Sequence, residues 1–566
     1  MQGTEQFHEE RQIGSGTVFQ YIGSTAITAG GALFYIFVVK LLPQDTVGTI
    51  SLFQAIIVLF SALFSLGLPF AAKHFISYYR GKTYAARKTI RIISVLSLIL
   101  AFSSGVAIFL FSDNLATYFY HGSNKPSFLI LVRFLFPVGA LSLTGGMLNS
   151  ILLGMQRYRE SGLASIVTAL GGYAFPLSLL LIFSYGLPGS SLLSLIAEKL
   201  GGNLPGVGPN PASIIVLGWY FGYTFSLLVA IAFILAAMRR DYPKRTVMRE
   251  YEDNVKLTTT MIKYSLPMFF SSIISVGAIY ADRLTVAFYL PQAELGVYSF
   301  GLLIATGIGF LVNPVNNVLL PKISQFFASR NLFLIRRGVG VTGDVISFIY
   351  VPMALFIIAI ARGFVIVLGK PDYVGAAMPF SIILGTSALF ITQSVLVQAL
   401  AGTRKTRVFV LTTSSSLLSN LLLSVLLIPH YGLIGAAIGF SSMYIVSFVI
   451  LYFFAGKLRV REYHIKRLFK IWLSAIVMFL SVFITSNYIL TIPSILYSRA
   501  MAYISHDIIR LVLYIVVGFL VYIAMIRMTK AIERQEIDFI YRFVPKRLQF
   551  TRRYLEWVFS PRENSP

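Results

Sequence analysis

Residues Met261 to Phe300 read MIKYSLPMFFSSIISVGAIYADRLTVAFYLPQAELGVYSF. The stretch is apolar and long enough to cross a bilayer core as a helix, which takes roughly 20 residues. Inside it stand an adjacent acid and base, Asp282 and Arg283. It closes on a turn, Leu290-Pro291-Gln292, followed by Gly296. The same turn stands earlier as Leu42-Pro43-Gln44 followed by Gly48. From Gln44 to Gln292 is 248 residues, and that offset organises the chain.

Two further matches keep the order. Gly154-Met155-Gln156-Arg157-Tyr158-Arg159 aligns with Gly402-Thr403-Arg404-Lys405-Thr406-Arg407 at the same offset. LLIFSYGLPG, from Leu180 to Gly189, aligns with LLIPHYGLIG, from Leu426 to Gly435. An offset that spans six helices, an even number, returns both copies in one orientation. The repeats are therefore parallel, related by an axis along the membrane normal.

Composition agrees. Hydrophobic residues make up 56% and charged residues 12%, with mean hydropathy +0.77; soluble domains carry about 25% charged residues. The apolar runs are too long for barrel strands. The expectation is an all-α polytopic membrane protein with about 14 transmembrane helices: two parallel six-helix repeats plus two C-terminal helices. The expected spans are about 17–41, 46–74, 90–112, 128–153, 161–184, 213–238, 259–289, 295–320, 341–361, 376–400, 408–428, 432–456, 471–492 and 508–527. They group into a lobe over 1–238, a cytoplasmic linker over 239–258, a lobe over 259–456, two helices over 457–529 and a basic tail over 530–566. Ser190 to Leu200 reads as a short helix at the outer surface, and the tail as interfacial helices or a partly disordered basic segment.

Net charge is +25, and its distribution decides its meaning. The inner segments, counted with the residues just past the span ends, the C-terminal tail and Arg11, hold 36 of the 47 Lys and Arg residues. This positive-inside pattern places both termini in the cytoplasm and the protein in the cell membrane. Basic loops facing an anionic inner leaflet account for the charge without nucleic acid. The N-terminus, MQGTEQFHEERQIG, is unlike a cleavable signal peptide. With no cysteine, disulfides, thiolate metal sites and thiol catalysis are excluded.

The Leu-Pro-Gln turns, Ala281-Asp282-Arg283-Leu284-Thr285-Val286, Leu319-Leu320-Pro321-Lys322-Ile323-Ser324, the Ala401-Gly402-Thr403-Arg404-Lys405 turn and Ile428-Pro429-His430-Tyr431-Gly432 together carry a resemblance. The chain resembles prokaryotic polysaccharide transporters, the O-antigen flippase-like group of the multidrug/oligosaccharidyl-lipid/polysaccharide exporter superfamily. The resemblance covers the first twelve spans and, by helix count, the last two. It implies two lobes around a central cavity. It also implies movement of a polyprenyl- or dolichyl-linked saccharide from inner to outer leaflet by alternating access.

Such a substrate has an anionic phosphate head, a polar glycan and a long hydrocarbon tail. Basic residues inside spans are costly, so they face a cavity or pair with an acid. Arg suits phosphate because its planar fork makes two parallel charge-assisted hydrogen bonds. Arg283 is the leading candidate, with Asp282 as its partner in the empty site or as half of a structural ion pair. Arg133 either lines the same cavity or snorkels outward. Lys73 and Lys322 close the second helices of the two lobes, either receiving phosphate at the cytoplasmic mouth or serving as ordinary positive-inside residues. Asn313, Asn316 and Asn317, beside Pro314, offer amides to sugar hydroxyls at a kink, or bond between helices. Asp344 reads as interfacial. Gly30-Gly31, Gly145-Gly146 and Gly171-Gly172 read as close-packing sites. None of the 31 tyrosines is singled out as a sugar platform.

No cofactor is expected, although H+ or Na+ coupling remains open. The six histidines show no metal-ligand spacing, and no phosphate-cradling loop is present. The scattered acids argue against a membrane glycosyltransferase. A peptidoglycan lipid-precursor flippase and a multidrug exporter of the same superfamily stay as alternatives. Expected partners are the lipid-linked glycan and membrane lipids, with the protein monomeric or weakly associated with glycan-assembly proteins.

Overall fold

The structure, a computed structural model, describes residues 2–79, 83–121, 125–184, 210–242, 254–403, 407–486 and 505–530. The proposed outer helix over 190–200, the inner turn 404–406, most of the linker and the tail lie outside the described residues.

The chain divides into two compact units, Met1–Phe300 and Gly301–Pro566. Along the first run α1 Gln2–Leu41, α2 Gln44–Phe64, α3 Leu68–Tyr78, α4 Thr83–Leu110, α5 Ser112–Phe119 and α6 Lys125–Gly154. There follow α7 Tyr158–Ala169, a π-helical segment Leu170–Ala174, α8 Phe175–Ser184, α9 Pro211–Asp241 and α10 Asn254–Tyr289. Helix α11, Gln292–Gly307, runs across the division. The second unit continues with a 3-10 turn Ile308–Leu311, α12 Asn313–Ala328, α13 Leu332–Ala359, α14 Ala361–Leu368, α15 Ala377–Leu389 and α16 Gln393–Gly402. It ends with α17 Arg407–Tyr431, α18 Leu433–Lys457, α19 Ile465–Ile484 and α20 Ser505–Thr529.

Among the described residues, twelve helices are long and apolar enough to cross a membrane. The count is thirteen if α15 and α16, bent by 49° at their junction, form one span. The remaining expected span, the eighth, is split: α11 and α12 are separated by the 3-10 turn, and each has 16 residues. In place of the expected kink at Pro314, the helix changes to a 3-10 turn just before it.

Local chemistry sets the ends. Asn210 caps α9 by accepting from the Ala212 amide at 3.0 Å, and Pro211 opens the helix where no amide is needed. Asn331 caps α13 through the Leu334 amide at 3.1 Å. Between α2 and α3 the chain turns through Leu66 and Gly67, at φ 46° and 69°. A side chain at Gly67 would overlap the Ser265 carbonyl of α10, so only glycine lets the two helices meet there.

The repeat appears as contacts between equivalent positions. A Cβ on Gly48 would overlap the Gln292 carbonyl and stand 2.9 Å from the Gly296 amide. One on Gly296 would overlap the Gln44 carbonyl and stand 3.0 Å from the Gly48 amide. One turn along, the Ser51 and Ser299 hydroxyls lie 2.6 Å apart, at a separation of 248. Residues that meet their own counterparts lie on a two-fold axis, so α2 and the start of α11 cross on the axis of the repeat.

Small and aliphatic residues of α3, α4, α6 and α9 form the core of the first unit, among them Ala71, Ile76, Ile90, Ile151 and Ile234. Arg157, at the N-terminus of α7, grips both carboxylate oxygens of Asp241 at the end of α9. That hydrogen bonding raises its pKa above the usual guanidinium value, so the clamp stays charged. In the second unit, Val351, Ile471, Met478, Val482, Tyr522 and Ile526 pack α19 and α20 onto α13. The Tyr522 hydroxyl donates to the Phe348 carbonyl at 2.9 Å. Large apolar side chains such as Phe102, Phe469 and Phe519 stand more than half exposed, as a lipid-facing surface requires.

Gly48→Val overpacks the axial crossing and is expected to cost about 1–3 kcal/mol, read as a lower thermal midpoint in detergent. Gly145→Ala, where a Cβ meets nothing within 4 Å, is expected to leave the midpoint unchanged.

Candidate functional site

Successive side chains on a helix point about 100° apart, and α10 uses this to send Asp282 and Arg283 to different neighbours. Asp282 is fully buried, and one carboxylate oxygen accepts from the Tyr298 hydroxyl of α11 at 2.7 Å. Its other oxygen, Oδ1, has no partner among the described residues. Arg283 forms no ion pair with it: every salt bridge among the described residues lies elsewhere. The guanidinium instead sits 4.9 Å from the centre of the Tyr280 ring, one helical turn back, and its Nε is buried without a hydrogen-bond partner. Such a stack is a cation–π contact, which leaves the edge of the guanidinium free to donate.

Around Arg283 the first unit gathers tyrosines from four elements. Tyr35 of α1 and Tyr280 of α10 lie within electrostatic reach of the guanidinium. Tyr173, from the π-helical segment, and Tyr223, of α9, lie within reach of Tyr280 and of each other. The Tyr35 hydroxyl donates to Gln54 Oε1 of α2 at 2.7 Å. Glycines make this convergence possible. The Tyr173 ring lies over Gly30 and Gly31, where added Cβ atoms would come within 3.1 and 3.2 Å of it. A Cβ on Gly171 would overlap the Gly222 carbonyl, so α9 approaches the π segment backbone to backbone. The Trp219 indole fixes that contact by donating to the Gly172 carbonyl at 3.0 Å.

Arg283, Gln54 and all four tyrosines are half-buried although helices surround them. Side chains that lie deep and still keep accessible surface line a cleft. This cleft offers one fixed cation, several phenol hydroxyls and a carboxamide. Such a set can hold an anionic head through Arg283 and hydroxyl groups through the neutral donors and acceptors.

The other expected residues are placed differently. Arg133 lies on the Phe109 ring, 5.7 Å from its centre, and pairs with Asp113 at 3.3 Å. The pair is open, with the two side chains 42% and 67% exposed, and it shares no partner with Arg283. Lys73 is exposed over Phe70, and Lys322 is exposed on α12. Asn313, Asn316 and Asn317 lie in the first turns of α12; their side chains fall outside the described residues. Asp344 is held by residues at the start of α19. Helix α13 begins nine residues before the expected span, and Asp344 is buried, accepting from His464 Nδ1 at 2.6 Å and Arg467 Nη1 at 2.9 Å. Gly145-Gly146 are not close-packed, since added Cβ atoms there meet nothing. Among the described residues no group of three His, Asp or Glu could hold a metal ion.

The four tyrosines are what sequence reasoning missed. Two signals were present: Tyr280 stands three residues before Arg283 on the same helix face, and Tyr173 follows the Gly171-Gly172 pair. Neither separates four tyrosines from 31 without knowing which helices meet.

Comparison with known proteins now adds to this geometry. Residues 220–373 match the family model described as "Polysaccharide biosynthesis protein". The lipid II flippase MurJ, in an inward closed conformation, superimposes with TM-score 0.66 at 15% identity, over 90% of this chain and 98% of that one. A MATE family multidrug resistance transporter, inward-facing, gives TM-score 0.59 at 16% identity, over 76% and 94%. The chain shares the fold of these two proteins. An outward-facing structure of a MATE transporter fits with TM-score 0.51 at 16% identity. No curated protein sequence matches the chain.

Tyr298→Phe removes the donor from a buried carboxylate that already has one unpartnered oxygen. A loss of about 1–3 kcal/mol is expected from the unmade bond, measured as a fall in the denaturation midpoint of the purified protein.

Proposed function

We propose that this protein translocates a lipid-linked saccharide, with its phosphate or diphosphate bound at Arg283, from the inner to the outer leaflet of the cell membrane. The observation that carries the reading is a guanidinium in a half-buried, tyrosine-lined cleft with no ion pair among the described residues. An intramembrane cation in such a cleft attracts an anion, and the hydroxyls beside it suit the first sugars of a glycan. The hydrocarbon tail needs no polar site and stays in lipid. The family description over residues 220–373 and the likeness to a lipid II flippase support the same substrate class.

Alternating access needs places where helices bend. The breaks at residues 65–67 and 308–312 and the bend between α15 and α16 supply them. In this reading the termini are cytoplasmic, and no covalent chemistry is performed. Lipid II itself is the second reading, favoured by the extent of the MurJ likeness. Export of organic cations fits less well, because the charge facing the cleft is basic.

The test is transfer of a fluorescent lipid-linked oligosaccharide in proteoliposomes. Wild type is expected to transfer it, and Arg283→Ala to lose roughly tenfold to hundredfold in rate, the worth of a charged hydrogen bond. Arg283→Lys is expected to be intermediate, since an ammonium cannot make the bidentate contact. A wild-type protein that moves no lipid-linked sugar but exports a cationic dye would sink the proposal.

A further inference from the structure

The second unit contains a cavity of about 190 Å³, separate in its residues from the cleft around Arg283. Its polar lining is Thr306, Tyr350, Ser387, Gln393, Ser394 and Tyr444, and no charged residue contributes. It sits where two spans are broken: the 3-10 turn after α11 supplies Gly309, and the junction of α15 and α16 supplies Ile391 and Gln393. Non-helical backbone at membrane depth is tolerated where it lines a polar cavity, because the bilayer offers nothing to satisfy it. The Tyr350 hydroxyl and Ser387 are 2.9 Å apart and satisfy each other. Gln393 is not satisfied: its Oε1 is buried and has no partner among the described residues.

We infer that this cavity is a second binding site, for one neutral, polyhydroxylated ring, a saccharide unit of the translocated glycan. Size restricts the occupant. A water takes about 30 Å³ and drug-sized ligands need about 300 Å³ or more, so 190 Å³ suits a single ring. Charge restricts it further. A wall without a cation does not hold phosphate, and one without a carboxylate is a poor site for an organic cation. Hydroxyls and a carboxamide beside the rings of Tyr350 and Tyr444 can pair with ring hydroxyls and cover an apolar sugar face. Gln393 Oε1 is the acceptor that a sugar hydroxyl completes. The identity of the ligand as part of a glycan rests on the function proposed above; the site itself does not.

The absence of cysteine allows a test that needs no transport. Ser394→Cys places a single thiol on the wall, with Thr306→Cys as a second reporter should the first fail to fold. Alkylation by a small maleimide is followed in detergent with the methyl glycosides of glucose, galactose and N-acetylglucosamine. A sugar at about ten times its Kd is expected to slow alkylation about tenfold by simple occupancy. Adding Gln393→Leu to the reporter is expected to abolish the protection, whereas Arg283→Ala leaves it intact. Absence of protection by all three glycosides overturns the proposal. So does protection by sodium chloride, but not choline chloride, which assigns the cavity to a cation. Failure of lipid transfer with retained sugar protection would sink the flippase reading and leave this site standing.

Discussion

The crossing of α2 and α11 is the constraint on which the rest depends. Two helices approach so closely at Gly48 and Gly296 that no side chain fits at either position, and their equivalent serines share a hydrogen bond. A contact built from self-equivalent residues fixes the axis of the repeat. It also fixes the start of α11, and with it Tyr298, whose hydroxyl holds Asp282. Once Asp282 is turned toward α11, the 100° step of the helix turns Arg283 away, toward Tyr280 and Tyr35. The position of the cation is thus a consequence of the axial packing.

Much of this architecture was legible because it is written in period and length. The first repeat match names residues that meet at the α2–α11 crossing, and apolar run length locates each helix but not its ends: α13 begins nine residues before its apolar run. The breaks were less legible. Pro314 and Pro69 stand at the first turns of the helices that follow two of the breaks, but the π segment at Leu170–Ala174 has only a glycine pair to mark it. Each depends on what a neighbouring helix presents: Ser265 against Gly67, Gly222 against Gly171. Single-chain periodicity cannot contain that information.

The candidate site divides along the same line. An arginine inside an apolar span is conspicuous by its cost, so Arg283 was found from the sequence. Arg133 was equally conspicuous, yet the structure gives it an open acid partner on α5. Sequence cannot separate the two cases, because the deciding residue, Asp113, is supplied by another helix. Tyrosines carry no such cost in a membrane protein and give no warning. Asp344 is a third case: its partners His464 and Arg467 come from the start of α19, which no pattern around Asp344 announces.

The energetics of Arg283 set what the cleft can do. A charge within a membrane span costs about 2.5–3.5 kcal/mol on insertion scales, and burial without a partner costs more. At helix ends, Arg157 and Arg467 are paired with carboxylates. Arg283 has a tyrosine face, a contact worth about 0.5–2 kcal/mol, and a neighbouring carboxylate already committed to Tyr298. A group left under-compensated in the empty state gains most from an incoming anion, and that gain is available only while the anion is in the cleft. This differential gives a carrier the means to stabilise the loaded state over the empty one, as any ligand-linked conformational change requires. A cation already matched by Asp282 would offer the ligand far less.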